Sequence, residues 1–128
     1  MVQLREIEPQ FQNLGVQLLA ISPDQPSKLK ETIDKHKLGF RLLSDSDMAA
    51  AQSFRVAYRL DDATLAQLKK HGIDVEAASG QKHHMLPVPA VFLVATNGVI
   101  QFEYVNPDYQ VRLDSELLLA AAKIVLKR

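Results

Sequence analysis

The side chains able to do chemistry are few and loosely grouped. No cysteine occurs among the 128 residues, which excludes a thiolate nucleophile, a disulfide or a cysteine metal site in this chain. His71, His83 and His84 raise the question of a metal site. Adjacent residues on a strand point to opposite faces, however, and no acidic residue stands at ligand-like spacing, so these read as loop histidines and no metal is expected. Ser22, and Ser44 with Asp45, could be imagined as a hydrolase set. They lack the glycine pattern of a nucleophile elbow and a partnered base, which leaves them turn and helix-cap roles. The five glycines are scattered, so no loop is suited to cradling a phosphate, and no cofactor is implied.

The elements that would position these residues follow from periodicity. Leu4, Ile7, Phe11 and Leu14 recur at helical spacing, with Pro9 as an internal kink and Gly15 as the stop. Val16 to Ile21 is a short apolar run of the kind found in buried parallel strands. Ser22 or Asp24 is expected to cap the next helix, with Pro26 in its first turn, Leu29 and Ile33 on its inner stripe, and Gly39 at its end. Phe40 to Ser44 reads as a second strand. Ser44 to Asp47 reads as a turn and cap cluster before a short helix from Met48 to Phe54.

Asp61 or Asp62 is expected to cap a helix running to His71-Gly72, and Ile73 to His84 reads as an exposed, irregular insertion. Ala90 to Ala95 is strand-like. Asn97-Gly98 is a strong hairpin signal, and Val99 to Tyr104 alternates as a half-exposed strand does. Asp114 or Ser115 then caps a final helix with Leu117, Leu118, Ala121, Ile124, Val125 and Leu126 on its apolar side. Tyr58 and Arg59 receive no element. Strand, helix, strand, helix, then a hairpin and a helix makes an α/β protein with a partly parallel sheet and right-handed crossovers.

The bulk numbers agree with one globular domain over residues 1–128: 47% apolar and 23% charged residues, without repeats or a linker. Fifteen basic and fifteen acidic side chains cancel, which gives no electrostatic case for nucleic acid or an anionic membrane. No apolar run approaches a membrane span, and the opening residues lack the layout of a signal peptide, so a cytoplasmic location is expected.

Four segments, in order, carry a specific resemblance: Ala20-Ile21-Ser22-Pro23-Asp24, Phe40-Arg41-Leu42-Leu43-Ser44-Asp45, Leu86-Pro87-Val88-Pro89-Ala90-Val91-Phe92-Leu93-Val94, and Asn106-Pro107-Asp108-Tyr109-Gln110-Val111-Arg112. They resemble the strand ends, the proline-before-strand segment and the tyrosine-to-arginine stretch of the peroxiredoxin-like branch of the alkyl hydroperoxide reductase / thiol-specific antioxidant family. The resemblance implies a thioredoxin-like fold, a three-layer α/β/α arrangement around a mixed sheet. It implies an antioxidant oxidoreductase activity, the thiol-dependent reduction of hydroperoxides with an external thiol reductant. It also implies that Pro89 is the position that is cis and lies against the reactive sulfur in thioredoxin-like proteins. Arg112 would be the arginine that lowers the thiolate's pKa and binds the peroxide, although a surface salt bridge with Asp108, Asp114 or Glu116 remains a second reading.

The departure from the family is equally specific. Its members have a strand and a cysteine-bearing turn before the helix that here begins near Val2, and this chain has neither. Pro89 and Arg112 are therefore expected to be relics of an active site, and the chain to be inactive. A reductant enters only if a cysteine-bearing N-terminus exists. The absent strand lies centrally in the family's sheet, between the strands near Val16–Ile21 and Ala90–Ala95. Unpaired buried amides cost about 1–3 kcal/mol each, so a vacant slot has to be closed by direct pairing, by a second copy or by residues outside this chain. If the 128 residues are the whole protein, the expectation is a homodimer with altered sheet pairing, acting as a non-catalytic binding module.

Overall fold

A computed structural model of the chain describes residues 2–108 and 112–127. The elements run α1 (Val2–Asn13), β1 (Leu19–Ser22), α2 (Pro26–His36), β2 (Arg41–Ser44), α3 (Ala49–Ser53), β3 (Ala57–Arg59), α4 (Asp62–Lys70), α5 (Val75–Ser79), β4 (Met85–Pro87), β5 (Ala90–Val94), β6 (Ile100–Val105) and α6 (Ser115–Leu126). This is the α/β order expected from the sequence. The strands pair as three two-stranded ladders, β1 with β2, β3 with β4 and β5 with β6. The residues gather into two compact units, one of residues 1–18, 38–40 and 88–128, the other of residues 19–37 and 41–87.

The first unit is built on α1, the β5–β6 hairpin and α6. Ile7 and Phe11, one turn apart on α1, meet Leu118 and Ala122, one turn apart on α6. Val16, Val91, Leu93, Phe102, Leu113 and Leu119 close around them. Phe11 is 2% exposed, the deepest of the described aromatic residues. Pro9 sits within α1 without ending it. The helix ends where Gly15 turns to φ 74° and the Val16 N–H reaches back to the Phe11 carbonyl at 2.9 Å. Val16 is therefore part of the helix stop, and the strand expected from Val16 begins only at Leu19.

In the hairpin, Val91 faces Tyr104 and Leu93 faces Phe102, with an irregular step between Leu93 and Val94. The turn is the Asn97-Gly98 one: Gly98 takes φ 86° and the Val99 N–H bonds the Asn97 side chain at 3.0 Å. Asp114 caps α6, accepting the Glu116 N–H at 2.8 Å. The six apolar residues expected along its buried side divide. Leu118 is buried, whereas Leu117, Ile124 and Leu126 are exposed. Helix periodicity finds apolar positions, and α6 has them on more than one face, so the sequence pattern could not say which face the core takes.

The second unit begins with a parallel pair, Leu19 opposite Arg41 through Ser22 opposite Ser44, joined by α2, whose Leu29 is buried. Leu42 is buried on one face of the pair. Leu19, Ile21 and Leu43 are 48%, 50% and 44% exposed on the other. The cap of α2 is Gln25, which makes no side-chain cap bond, rather than Ser22 or Asp24. Gln25 is held instead by α5: its N–H bonds the Ala78 carbonyl at 2.8 Å and its Nε2 the Ala77 carbonyl at 2.9 Å.

That helix corrects the expectation of a structureless excursion after Ile73. Asp74 caps α5, Gly80 ends it in a left-handed conformation, and Val75 and Ser79 are buried. Beyond it the antiparallel β3–β4 pair, Ala57 to Pro87 through Arg59 to Met85, gives Tyr58 and Arg59 a place. Asp61 caps α4, accepting the Thr64 N–H at 2.7 Å.

Candidate functional site

The C-terminal ends of β1 and β2 are where a parallel strand pair offers its loops, and Ser22, Asp24, Ser44 and Asp45 converge there. Each is committed to the main chain. The Asp24 N–H bonds Ser22 Oγ at 3.2 Å, and Ser44 Oγ donates to the Asp24 carbonyl at 2.6 Å. The Asp45 N–H continues the ladder to the Ser22 carbonyl at 2.7 Å. Its carboxylate, 8% exposed, accepts the Ala50 N–H at 2.9 Å and the Ala51 N–H at 2.8 Å, which holds the first turn of α3. Asp47 adds a bond to the Ala49 N–H at 3.1 Å. Burial pushes the Asp24 carboxyl above its ordinary value, against the opposing pull of Lys28 and of the Ser22 hydroxyl. Turn and cap chemistry thus accounts for these four residues, as their sequence context indicates.

The histidines of the same unit are likewise placed by partners. His83 Nδ1 accepts the Met85 N–H at 3.0 Å, so Nε2 carries the proton and donates to the Ser46 carbonyl at 2.6 Å. His84, at φ 56°, lies against the Glu76 carboxylate of α5, and its carbonyl accepts the Leu60 N–H at 2.8 Å. His71 is the C-cap residue of α4. Among the described residues no three histidines or carboxylates gather as a metal site would require. The pairing of Glu76 with His84 depends on α5 and has no signal of its own in the sequence.

In the first unit an open cleft of about 790 Å³ runs between α1 and α6, lined in part by Glu6, Ile7, Gln10, Arg112, Glu116 and Lys123. Arg112 thereby shares a cleft with the middle of α1, at Glu6, Ile7 and Gln10, and none of the described residues of the first turn of that helix line it. Asp114 also lines the cleft, so three carboxylates and two cations share its lining, and the net charge does not select for an anion. Pro89 is not part of this cleft. It stands just before β5, half-buried, with its carbonyl accepting the Asn106 N–H at 3.1 Å.

No cis peptide bond occurs among the described residues, so Pro89 is trans where the resemblance implied cis. Trans is favoured for an X–Pro bond by about 0.5–1 kcal/mol unless the surroundings impose the other form, and a trans proline at the start of a strand needs no such help. Of the segment that joins Asn106 to Arg112, Tyr109, Gln110 and Val111 lie outside the described residues. Glu8 is a further residue that sequence reading passed over. It is 8% exposed, bonds Gln12 Nε2 at 2.9 Å, and lies against Gly39, where a Cβ would meet Glu8 Oε2 at 3.2 Å. Its only sequence signal was the four-residue spacing to Gln12.

Comparison with known proteins adds two findings. The profile of the AhpC/TSA family matches residues 1–103. A Haemophilus influenzae protein provisionally described as the peroxiredoxin Bcp is 45% identical over 53 residues, 41% of this chain and 34% of that protein. Peroxiredoxin Bcp of Escherichia coli is 40% identical over a stretch of the same length, again 41% of this chain and 34% of the relative. The matching stretch thus spans about a third of the length of the curated relatives.

Proposed function

We propose, because this chain belongs to the AhpC/TSA family of thioredoxin-like α/β proteins, that it is the scaffold of a peroxiredoxin-like thiol peroxidase and has no peroxidase activity of its own. The family reaction needs a thiolate sulfur that attacks the peroxide O–O bond. The sulfur takes one oxygen as sulfenic acid, the other leaves as the alcohol or water after gaining a proton, and an external thiol then reduces the sulfenic acid. The observation that carries the proposal is the absence of cysteine from a chain whose first 103 residues match the family. Methionine sulfur does not substitute, since a thioether is oxidised to a sulfoxide and cannot form the sulfenic acid on which the cycle turns.

Pro89 and Arg112 are then remnants of the family's site. The place of Arg112 in a cleft against α1 supports this, and a trans bond at Pro89 and carboxylates lining the same cleft as Arg112 are in keeping with lost chemistry. The reading is tested by peroxide consumption with dithiothreitol as reductant. The rate expected with this chain equals that of the no-protein control, and turnover above the control overturns the proposal.

A second reading, a non-catalytic homodimeric binding module, is favoured by one observation. Leu19, Ile21 and Leu43 on the β1–β2 ladder, and Leu117 and Ile124 on α6, are all exposed by 44% or more. Apolar exposure of this kind favours association. A single domain is also part of the proposal, supported by the chain's repeated passage between the two units at residues 18–19, 37–38, 40–41 and 87–88. No described helix is long and apolar enough to cross a membrane, and a cytoplasmic location is proposed with the rest.

A further inference from the structure

We infer that Met85 is the described sulfur of this chain that hydroperoxides oxidise, and that Gln52 and Arg59 hold the sulfoxide formed there. Without cysteine, the oxidisable sulfur rests with Met1, Met48 and Met85. Met1 lies outside the described residues. Met48 is 0% exposed, so a peroxide reaches it only when the surrounding unit opens. Met85, in β4, is only half-buried, and its contact with Gln52 lies at the surface. Two donors flank its side chain. Gln52 Nε2, from α3, donates to Sδ at 3.7 Å. Arg59 stands directly opposite Met85 across the β3–β4 pair. The Leu60 N–H bonds the His84 carbonyl, so this ladder closes at residues 60 and 84, and Arg59 and Met85 form the neighbouring non-hydrogen-bonded pair. Side chains of such a pair leave the same face, with Cβ atoms about 4.5–5.5 Å apart. The Met85 N–H, unused by the ladder, goes to His83 Nδ1 at 3.0 Å, which fixes the backbone beneath the sulfur.

A thioether is a weak acceptor and gives these two donors little to bond. In the reaction the sulfur lone pair attacks one oxygen of the hydroperoxide and the O–O bond breaks. The sulfur keeps that oxygen as the sulfoxide, and the other leaves as the alcohol or water after taking up the peroxide's proton. The sulfur loses two electrons and the peroxide gains them. For a nitrogen 3.7 Å from the sulfur, an S–O···N angle of about 110° sets the new oxygen about 2.9 Å from it, an ordinary hydrogen bond. Arg59 brings a charged donor to the same face, where a bond to the sulfoxide is charge-assisted. Reversal calls for a methionine sulfoxide reductase, so the step consumes one peroxide per chain and adds no turnover driven by dithiothreitol.

The test treats the intact chain with hydrogen peroxide, locates the added oxygen by peptide mass spectrometry, and follows urea unfolding before and after. Met85 is expected to gain oxygen at least about tenfold faster than Met48. Equal rates, or Met48 ahead, overturn the site. Oxidation is expected to leave the urea midpoint of the parent unchanged or raised, because the new oxygen finds donors. In Gln52→Leu and in Arg59→Leu, both at exposed positions, the same oxidation is expected to lower the midpoint by about 0.5 M, since a polar oxygen then meets an apolar neighbour. Met85→Leu keeps the apolar volume and is expected to hold its midpoint through the treatment. A shift in Met85→Leu assigns the effect to another residue and overturns the site. An equal change in the parent and both variants overturns the capture by Gln52 and Arg59 and leaves Met85 as the oxidised sulfur. One variant that behaves as the parent removes that residue from the pair.

Discussion

Asp45→Ala is the substitution that most directly tests how the second unit is held. The carboxylate is buried and its two oxygens bond the Ala50 and Ala51 N–H groups at 2.9 and 2.8 Å. Removing it takes away a helix cap, worth about 1 kcal/mol, and leaves the buried Ala51 N–H without an acceptor, at about 1–3 kcal/mol. Together these predict a loss of about 3 kcal/mol, a large share of the 5–15 kcal/mol typical of a domain. In a chain of this size that corresponds to a fall in Tm of roughly 10 °C. Asn at the same position keeps one oxygen acceptor but turns an amide N–H₂ toward the other donor, so Asp45→Asn should lose about half as much.

The assay is urea unfolding followed both by far-UV circular dichroism and by tyrosine fluorescence, to which Tyr58 in one unit, Tyr104 in the other and Tyr109 contribute. Coincident transitions with unchanged m-values would mean that both units unfold as one domain, and the midpoints would then give the energy difference. A loss below about 0.5 kcal/mol in Asp45→Ala would refute the reasoning, because a cap and a buried donor cannot both be dispensed with at that cost.

Two further predictions follow from close contacts and from ionisation. Gly39→Ala places a Cβ 3.2 Å from Glu8 Oε2, so it should destabilise the chain by about 1 kcal/mol, and Glu8→Ala in the same chain should relieve that part of the cost. A double-mutant cycle that shows no coupling refutes the contact. Hydrogen bonding from Thr64 lowers the folded carboxyl of Asp61, so its stabilisation is present above the unfolded aspartate value near 3.9 and is lost as the pH falls through the folded value. Burial raises Asp24, which gives the opposite sign: its ionised form opposes folding at neutral pH, and the penalty disappears once both states are protonated. Asp24→Asn should therefore raise the urea midpoint at pH 7 and lose that advantage at pH 3, whereas Asp61→Asn should lower the midpoint at pH 7 with a deficit that narrows toward pH 3.

What was legible in the sequence were the features that announce themselves within a few residues. The β1–α2–β2 alternation, the Asn97-Gly98 turn and the caps, narrowed by sequence to Asp61 or Asp62 and to Asp114 or Ser115 and supplied by Asp61 and Asp114, all depend on local chemistry. Strands of three residues such as β3 and β4 are too short for alternation to register, which is why Tyr58 and Arg59 had no place. The signs of α5 were local as well: Asp74 before it, Gly80 after it, and alanines between. It was passed over because it has only Val75 as a large apolar anchor, and its hold on the fold comes through Gln25, which is fifty-two residues from Ala77. That contact is a tertiary one and leaves no trace in periodicity. The same limit explains α6, whose apolar residues suit two faces, and Pro89, whose isomer depends on what surrounds it.

The residues that carry the family resemblance divide by what they need in order to be useful. Ser22, Asp24, Ser44 and Asp45 serve strand ends and a helix start through bonds to the chain's own backbone. They do this whether or not a sulfur stands nearby. The roles the resemblance assigns to Pro89 and Arg112 need a partner: a thiolate for the proline to lie against, and a peroxide for the guanidinium to hold. In this chain Pro89 has a trans bond where the resemblance implied cis, and Arg112 lines a cleft together with three carboxylates. Residues with a structural duty can therefore keep a family's signature in a chain without cysteine, whereas the roles proposed for Pro89 and Arg112 would need a thiolate that no residue of this chain supplies.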